Sequence, residues 1–212
     1  MIEKQKIIDI SWPITENITA YKNRKIVSFQ KIRNFSEHNV RESIIQLGSH
    51  SGTHIDAPSH FLQDGLSVEN TRLNALVGPA HVIDCRLSFG HITAEDLMQN
   101  DIKEDEIILF RTKNSDLAPT AAFDYEFVYL REDAARYLVN KRVRAVGIDY
   151  LGIERNQPAH ETHTALLSAD IPIIEGLRLA EVAEGHYQLV CLPLAIVGLE
   201  ASPARAILIV NQ

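Results

Sequence analysis

Cysteine is scarce in this chain: two occur among 212 residues, Cys85 and Cys191, far apart and each in apolar, strand-like surroundings. Buried free thiols in a reducing compartment are therefore a simpler reading than a disulfide. Basic clusters are missing as well. Lys and Arg number 21 against 28 Asp and Glu, for a net charge of −7, which argues against a nucleic-acid partner. Long apolar runs are also absent. The most apolar stretch, Leu189 to Gly198, is too short to span a bilayer and contains Pro193, so no membrane partner is expected. The first residues, Met1 to Lys6, carry charges with no following apolar segment of signal-peptide length. A cytoplasmic protein is expected. No repeat, low-complexity tract or linker interrupts a chain that is 45% apolar and 23% charged. This is one globular domain with room for a real core, residues 1–212.

What the chain does have is histidine concentrated in one place. The stretch from His50 to Phe61 (HSGTHIDAPSHF) holds His50, His54, Asp56 and His60. Gly52 and Pro58 break regular structure, so a folded loop with converging side chains is expected. His50 and His54 stand four apart and could share a helix face, but Gly52 between them disfavours that. Imidazole nitrogen and carboxylate oxygen suit zinc, manganese or iron, and no cysteine lies nearby for a thiolate site. One histidine on a loop is usually a surface residue. Four donors at short spacing read as a metal site that can leave a position open for water.

Periodicity and breakers predict a mixed α/β domain, with β predominating in the first quarter. Strands are expected at Lys6–Ser11, Lys25–Arg33 and Glu42–Leu47, the third running straight into the His50 cluster as its rigid support. A short helix is expected from Ser67, and Gly78-Pro79 is expected to break the chain before a strand at Ala80–Cys85. Thr93 with Asp96 makes a capping-box-like start for a helix at Ala94–Gln99. Strands at Glu106–Arg111 and Phe127–Leu130, a helix at Arg131–Asn140 and a strand at Ala145–Ile148 follow. The rest reads as a helix at Glu161–Ser168 and strands at Pro172–Ile174, Gln188–Leu192 and Ala206–Val210.

A second group of donors lies in the later half. If 161–168 is helical, His160 and His163 stand one turn apart near its start. Glu175 ends a very apolar strand, where an unpaired charge would cost about 3 kcal/mol or more. A metal or an Arg would offset that. Equally, Glu175 could cap the next turn while His160 and His163 are solvated, and the residues alone leave both readings open.

The residues from His50 to His60 match the pattern His-x-Gly-Thr-His-x-Asp-x-x-x-His in full, and that pattern resembles the signature of the cyclase-like metal-dependent hydrolases, a family that includes bacterial kynurenine formamidase and isatin hydrolase. The likeness continues through Phe61, Asp64-Gly65, Gly78-Pro79, Gly147-Ile148-Asp149, His163-x-x-Leu-Leu, Ile174-Glu175-Gly176-Leu177, Leu192-Pro193-Leu194 and Pro203-Ala204-Arg205. It spans nearly the whole chain. The resemblance implies the swivelling β/β/α domain of that family. It implies His50, His54 and Asp56 as metal ligands, with His163 and Glu175 completing a second metal position that could share Asp56. His60 would be the general acid/base and not a ligand; His160 has no assigned counterpart. One or two divalent ions are implied, zinc first and manganese as the alternative. A homodimer or homotetramer is implied too, with the site near a subunit interface.

The implied reaction is hydrolysis of a small-molecule amide, an aryl formamide or a cyclic amide, by metal-activated water with His60 moving the proton. The sequence departs from the family at Ile18–Arg24, which lacks an aromatic-Pro-Gly segment and puts N-formylkynurenine specifically in question. Tyr21 there could stack on a flat substrate or merely pack its loop. Phe61 is the other candidate substrate contact. Two further readings compete: a polyketide-type cyclase or dehydratase using the same site, and a ligand-binding protein without catalysis. An intact His60 speaks against the last.

Overall fold

The computed structural model describes residues 6–24 and 26–210. The chain opens with β1 (Ile7–Asp9) and then departs as a hairpin, β2 (Ser28–Arg33) and β3 (Glu42–Gln46), with the single turn α1 (Phe35–His38) between them. The short strand β4 (His54–Asp56) leads back to the main sheet, and β5 (Val77–Asp84) follows. From there β6 (His91–Ile92) and α2 (Ala94–Met98) lead to β7 (Ile107–Arg111). β8 (Tyr129–Leu130) and α3 (Glu132–Lys141) lead to β9 (Ala145–Ile148), and α4 (Glu161–Ser168) leads to β10 (Ile173–Glu175). Two long strands, β11 (Gly185–Pro193) and β12 (Ala201–Val210), complete the described chain.

The main sheet runs β1-β12-β11-β5-β7-β9-β10-β4, and an added β12–β4 pairing closes it into a barrel. β12 achieves this by length: Ala201–Pro203 pair with β4 while Ile207–Ile209 pair with β1. Closure leaves few open strand edges. β5, β7, β9 and β10 are parallel neighbours, and parallel neighbours need crossovers, which here carry α2, α3 and α4. Side-chain alternation then separates two cores. Ile55, Ala80, Val82, Ile107, Leu109, Ile174 and Leu208 fill the barrel. Ile108, Phe110, Val146, Ile148 and Ile173 point outward against Leu97, Ala134, Leu138, Leu166 and Leu167 of the helices. Residues such as His54, Asp56 and Glu175 alternate with the inward ones, so they too face outward, towards α4.

The fold is mixed α/β, as read from the sequence, and several boundaries differ. The expected folded loop at 50–61 contains β4 and a 3-10 turn at Pro58–His60. β3 does not hold the site: it belongs to the exposed β2–β3 hairpin, and β4 supplies the rigid support instead. The second strand begins at Ser28, and Lys25 lies outside the described residues. The short helix from Ser67 is a 3-10 turn, Val68–Asn70. Gly78-Pro79 does not break the chain; β5 runs through it. Its ladder with β7 begins only at Ala80, so Pro79 sits where the strand lacks that neighbour. The strand expected at 127–130 shrinks to β8. Cys85 and Cys191 are buried and free. No helix among the described residues is long and apolar enough to cross a membrane.

Candidate metal centre

β4 is held at both ends of its segment. Gly52, at φ +62°, turns the chain so that its carbonyl accepts from His54 Nδ1 at 2.8 Å, leaving Nε2 to face the site. Thr53 Oγ1 accepts the Trp12 N–H at 2.7 Å and donates to the Gly176 carbonyl at 2.6 Å. β10 lies antiparallel to β4 with Glu175 opposite His54. The Ile153 N–H donates to Glu175 Oε1 at 2.6 Å and fixes that carboxylate. His163 comes from the first turn of α4. His160 is the residue before that helix, with left-handed backbone at φ +52°, so the two histidines are not one helical face.

The side chains converge on a ring of alternating nitrogen and oxygen. His54 Nε2 stands 3.5 Å from Asp56 Oδ1 and 3.4 Å from Glu175 Oε2. His163 Nε2 stands 3.6 Å from Asp56 Oδ2 and 3.5 Å from Glu175 Oε1. All four residues are buried. These spacings are long for hydrogen bonds, and His54 Nε2 and both Asp56 oxygens have no hydrogen-bond partner. Spacings of 3.4–3.6 Å between neighbouring nitrogen and oxygen donors leave room for an ion at about 2.0–2.2 Å from each. Two neutral imidazoles and two carboxylates also balance a dication that their burial would otherwise demand. The donor set fits a divalent metal.

His50, His60 and Glu154 surround that ring. His50 Nδ1 lies 3.0 Å from Asp56 Oδ1, and its Nε2 lies 3.3 Å from Glu200 Oε1. Donor atoms of His50, His54 and Asp56 fall within 4.8 Å of one another, as do those of Asp56, His60 and His163, so Asp56 is common to both groups. The His60 ring sits 4.3 Å from that of His50 and 5.7 Å from that of His163.

Electrostatics follow from this packing. Burial opposes the charged form of Asp56, but contacts with His163 and His50 outweigh it and hold the carboxyl well below its usual range. Burial likewise opposes charge on Glu175, and Asp56 adds repulsion; His163 and His54 overcome both, bringing it to about 2. In return, His163 is raised well above 6.5 against its burial, and His54 is raised as well. His60 goes the other way. Burial lowers it below 6.5, Asp56 opposing the shift and His50 and His163 adding to it.

All five sequence-derived ligand candidates and His60 are thus brought together, and Glu175 and His163 are neither a solvated cap nor a solvated face. Two carboxylates escaped the sequence reading. Glu154 Oε2 lies 3.0 Å from His163 Nδ1, and its Oε1 lies 2.5 Å from His160 Nδ1, which gives His160 a partner. Glu200 accepts from Ser49 Oγ at 2.5 Å beside His50. Glu154 carried the same signal as Glu175, a carboxylate ending an apolar run. A cavity of about 600 Å³ opens onto His50, His60, His163 and Glu175. Tyr21, Phe61, Phe123 and Phe127 line it, and Tyr21 packs edge-on to Phe123 at 4.9 Å.

Comparison with known proteins agrees with this picture. Residues 8–155 match the Cyclase family model. A kynurenine formamidase from Salinibacter ruber is 33% identical, covering 95% of this chain and 96% of its own. A predicted metal-dependent hydrolase from Bacillus stearothermophilus is 46% identical with a TM-score of 0.87, covering 97% and 98% of the two chains. An isatin hydrolase bound to thioisatinate shares the fold, with a TM-score of 0.85 at 23% identity, covering 98% of this chain and 93% of its own.

Proposed function

This chain belongs to the Cyclase family, and we propose that it is a metal-dependent hydrolase that cleaves a small amide carried on an aromatic group, an aryl formamide of the N-formylkynurenine kind first. The observation that carries this reading is the buried ring of two imidazoles and two carboxylates opening onto a cavity walled by aromatic side chains. His50, His54, Asp56, His163 and Glu175 would hold one divalent ion or two, with Asp56 common to both groups. Zinc is the first candidate and manganese the alternative, since the nitrogen and oxygen donors accept either. When bound, the ion supplies an electrophile for the amide carbonyl and acidifies a water.

The chain's own residues account for the rest. Burial keeps His60 neutral at physiological pH, so its ring can take a proton from the attacking water and return it to the leaving nitrogen. Glu154 accepts the His163 backbone N–H and stands 3.0 Å from its Nδ1, and the Gly52 carbonyl accepts from His54 Nδ1, so each ring presents Nε2 to the site. Phe61 and Tyr21 offer ring faces and edges to a flat substrate.

Metal content of the purified protein, with formate release from N-formylkynurenine in the presence and absence of a chelator, tests the proposal. Stoichiometric metal and chelator-sensitive formate release are expected. Metal without formate release would move the substrate to a cyclic amide such as isatin, read as ring opening. Water released by ring closure would instead identify a cyclase. Failure to bind metal after reconstitution would end the hydrolase reading.

We also infer assembly with a second copy of this chain. The β2–β3 hairpin supports it, since both its strands are exposed along their length and carry Phe29, Ile32, Ile44 and Ile45.

A further inference from the structure

A second group of metal-donor side chains lies on the barrel, sharing no residue with the first. His81 on β5 and His186 on β11 are direct partners in their antiparallel ladder, and Glu106 immediately precedes β7. Ala80, Val82, Ile107 and Tyr187 point into the barrel, so His81, Glu106 and His186 project from its outer face. The two imidazole rings stack at 4.2 Å with 27° between their planes. His186 Nδ1 lies 3.0 Å from Glu106 Oε1, and one donor atom from each of the three residues falls within 4.8 Å of the others.

This group differs from an incidental surface cluster in one respect. His81 is only 7% exposed, yet its Nδ1 has no hydrogen-bond partner. A buried imidazole nitrogen left unsatisfied costs stability until a partner arrives. Glu106 is also buried, so the barrel holds two of the three donors, and the half-exposed His186 brings the third beside them.

We propose that His81, Glu106 and His186 form a second site for a divalent transition-metal ion, Zn²⁺ by its donor chemistry, that clips β5, β7 and β11 together. Two imidazoles and one carboxylate favour Zn²⁺, Ni²⁺ or Cu²⁺ over Mg²⁺ or Ca²⁺, which prefer all-oxygen shells. The exposed side of His186 leaves water to complete the coordination. Such an ion would be added to those at the first centre, since β9 and β12 separate the two groups around the barrel.

Protein already loaded at the first centre is titrated with Zn²⁺, and bound equivalents are counted by equilibrium dialysis with elemental analysis. His186→Ala and His81→Gln are treated in parallel. The wild-type chain is expected to take up one equivalent more than either variant, or to bind it at least about tenfold more tightly. Metal content at the first centre should be the same in all three. A rise in Tm on adding Zn²⁺ should appear in the wild type and be lost in His186→Ala. Should His81→Gln fail to fold, His186→Ala decides the matter alone, because its ring is half in solvent and its loss leaves the core intact. Equal equivalents bound with equal affinity by wild type and His186→Ala would overturn the proposal.

Discussion

His60 and Glu154 both adjoin His163, yet they are expected to affect different measurements. His60→Asn removes the proposed proton carrier, so turnover should fall roughly 10²–10⁴-fold. Bound metal should remain. Loss of metal along with turnover would instead make His60 a ligand, which its place beside Asp56 and His163 permits geometrically. The working form of a base is the neutral ring, and burial lowers its pKa below 6.5. Activity should therefore fall only as pH drops through a value below 6.5, and an acidic limb of kcat/KM lying above that would count against the assignment. Glu154→Gln keeps the size of the side chain and removes its charge. His163 then loses the anion beside its Nδ1, and metal affinity should weaken about 10–100-fold, with kcat at saturating metal much less affected. Unchanged affinity in a chelator competition would remove Glu154 from that role.

At the scale of elements, the site depends on how β4 and β10 are pinned together. Thr53 ties the segment after β1 to the turn after β10 through one hydroxyl, and Gly176 at φ +69° brings that turn against Gly52. A Cβ at Gly176 would lie 2.3 Å from the Gly52 carbonyl oxygen. Thr53→Val preserves shape but leaves the Trp12 N–H and the Gly176 carbonyl buried without partners, at about 1–3 kcal/mol for each. Thermal denaturation should show a clear fall in Tm, and metal affinity should fall with it, because Thr53 adjoins His54 and Gly176 adjoins Glu175. An unchanged Tm would mean that water replaces the hydroxyl. These ties also mark what a sequence can and cannot reveal. α2 was legible because its signal is local: the Thr93–Asp96 capping box forms as expected. β4 was not, because three residues between Gly52 and Pro58 have no period to read and become a strand only when β10 and β12 supply partners from distant sequence. The donors from His50 to His60 were legible because they are contiguous. Glu154 and Glu200 gain their roles only when α4 and the turn before β12 bring them against His163 and His50.

At the scale of the whole molecule, closing the barrel consumes the apolar strands at the C-terminal end. Within β12, Ala206 and Leu208 belong to the barrel core, while Leu192, Leu194, Ile196 and Val197 ahead of it stay exposed. The β2–β3 hairpin is one of the apolar surfaces left exposed among the described residues. Phe29 pairs with Ile45 while the adjacent Ile44 points to the other face, so both faces of the hairpin carry apolar side chains, and Ile45 is 64% exposed. A lone two-stranded ribbon is marginal in water and needs a surface against it. Each large apolar side chain buried there would contribute about 1.5–3 kcal/mol. Ile45→Glu places a charge in the middle of that surface. Sedimentation equilibrium should find the wild-type chain as a dimer or tetramer and the variant as a monomer with its metal content intact. Ile26, just before β2, lines the cavity beside Tyr21 and Arg24, so a copy docked on the hairpin would also shape the cavity mouth. The monomeric variant should then show a raised KM with a smaller change in kcat. A wild-type chain that is monomeric at all concentrations would sink the assembly, and an oligomer that survives Ile45→Glu would move its interface away from the hairpin.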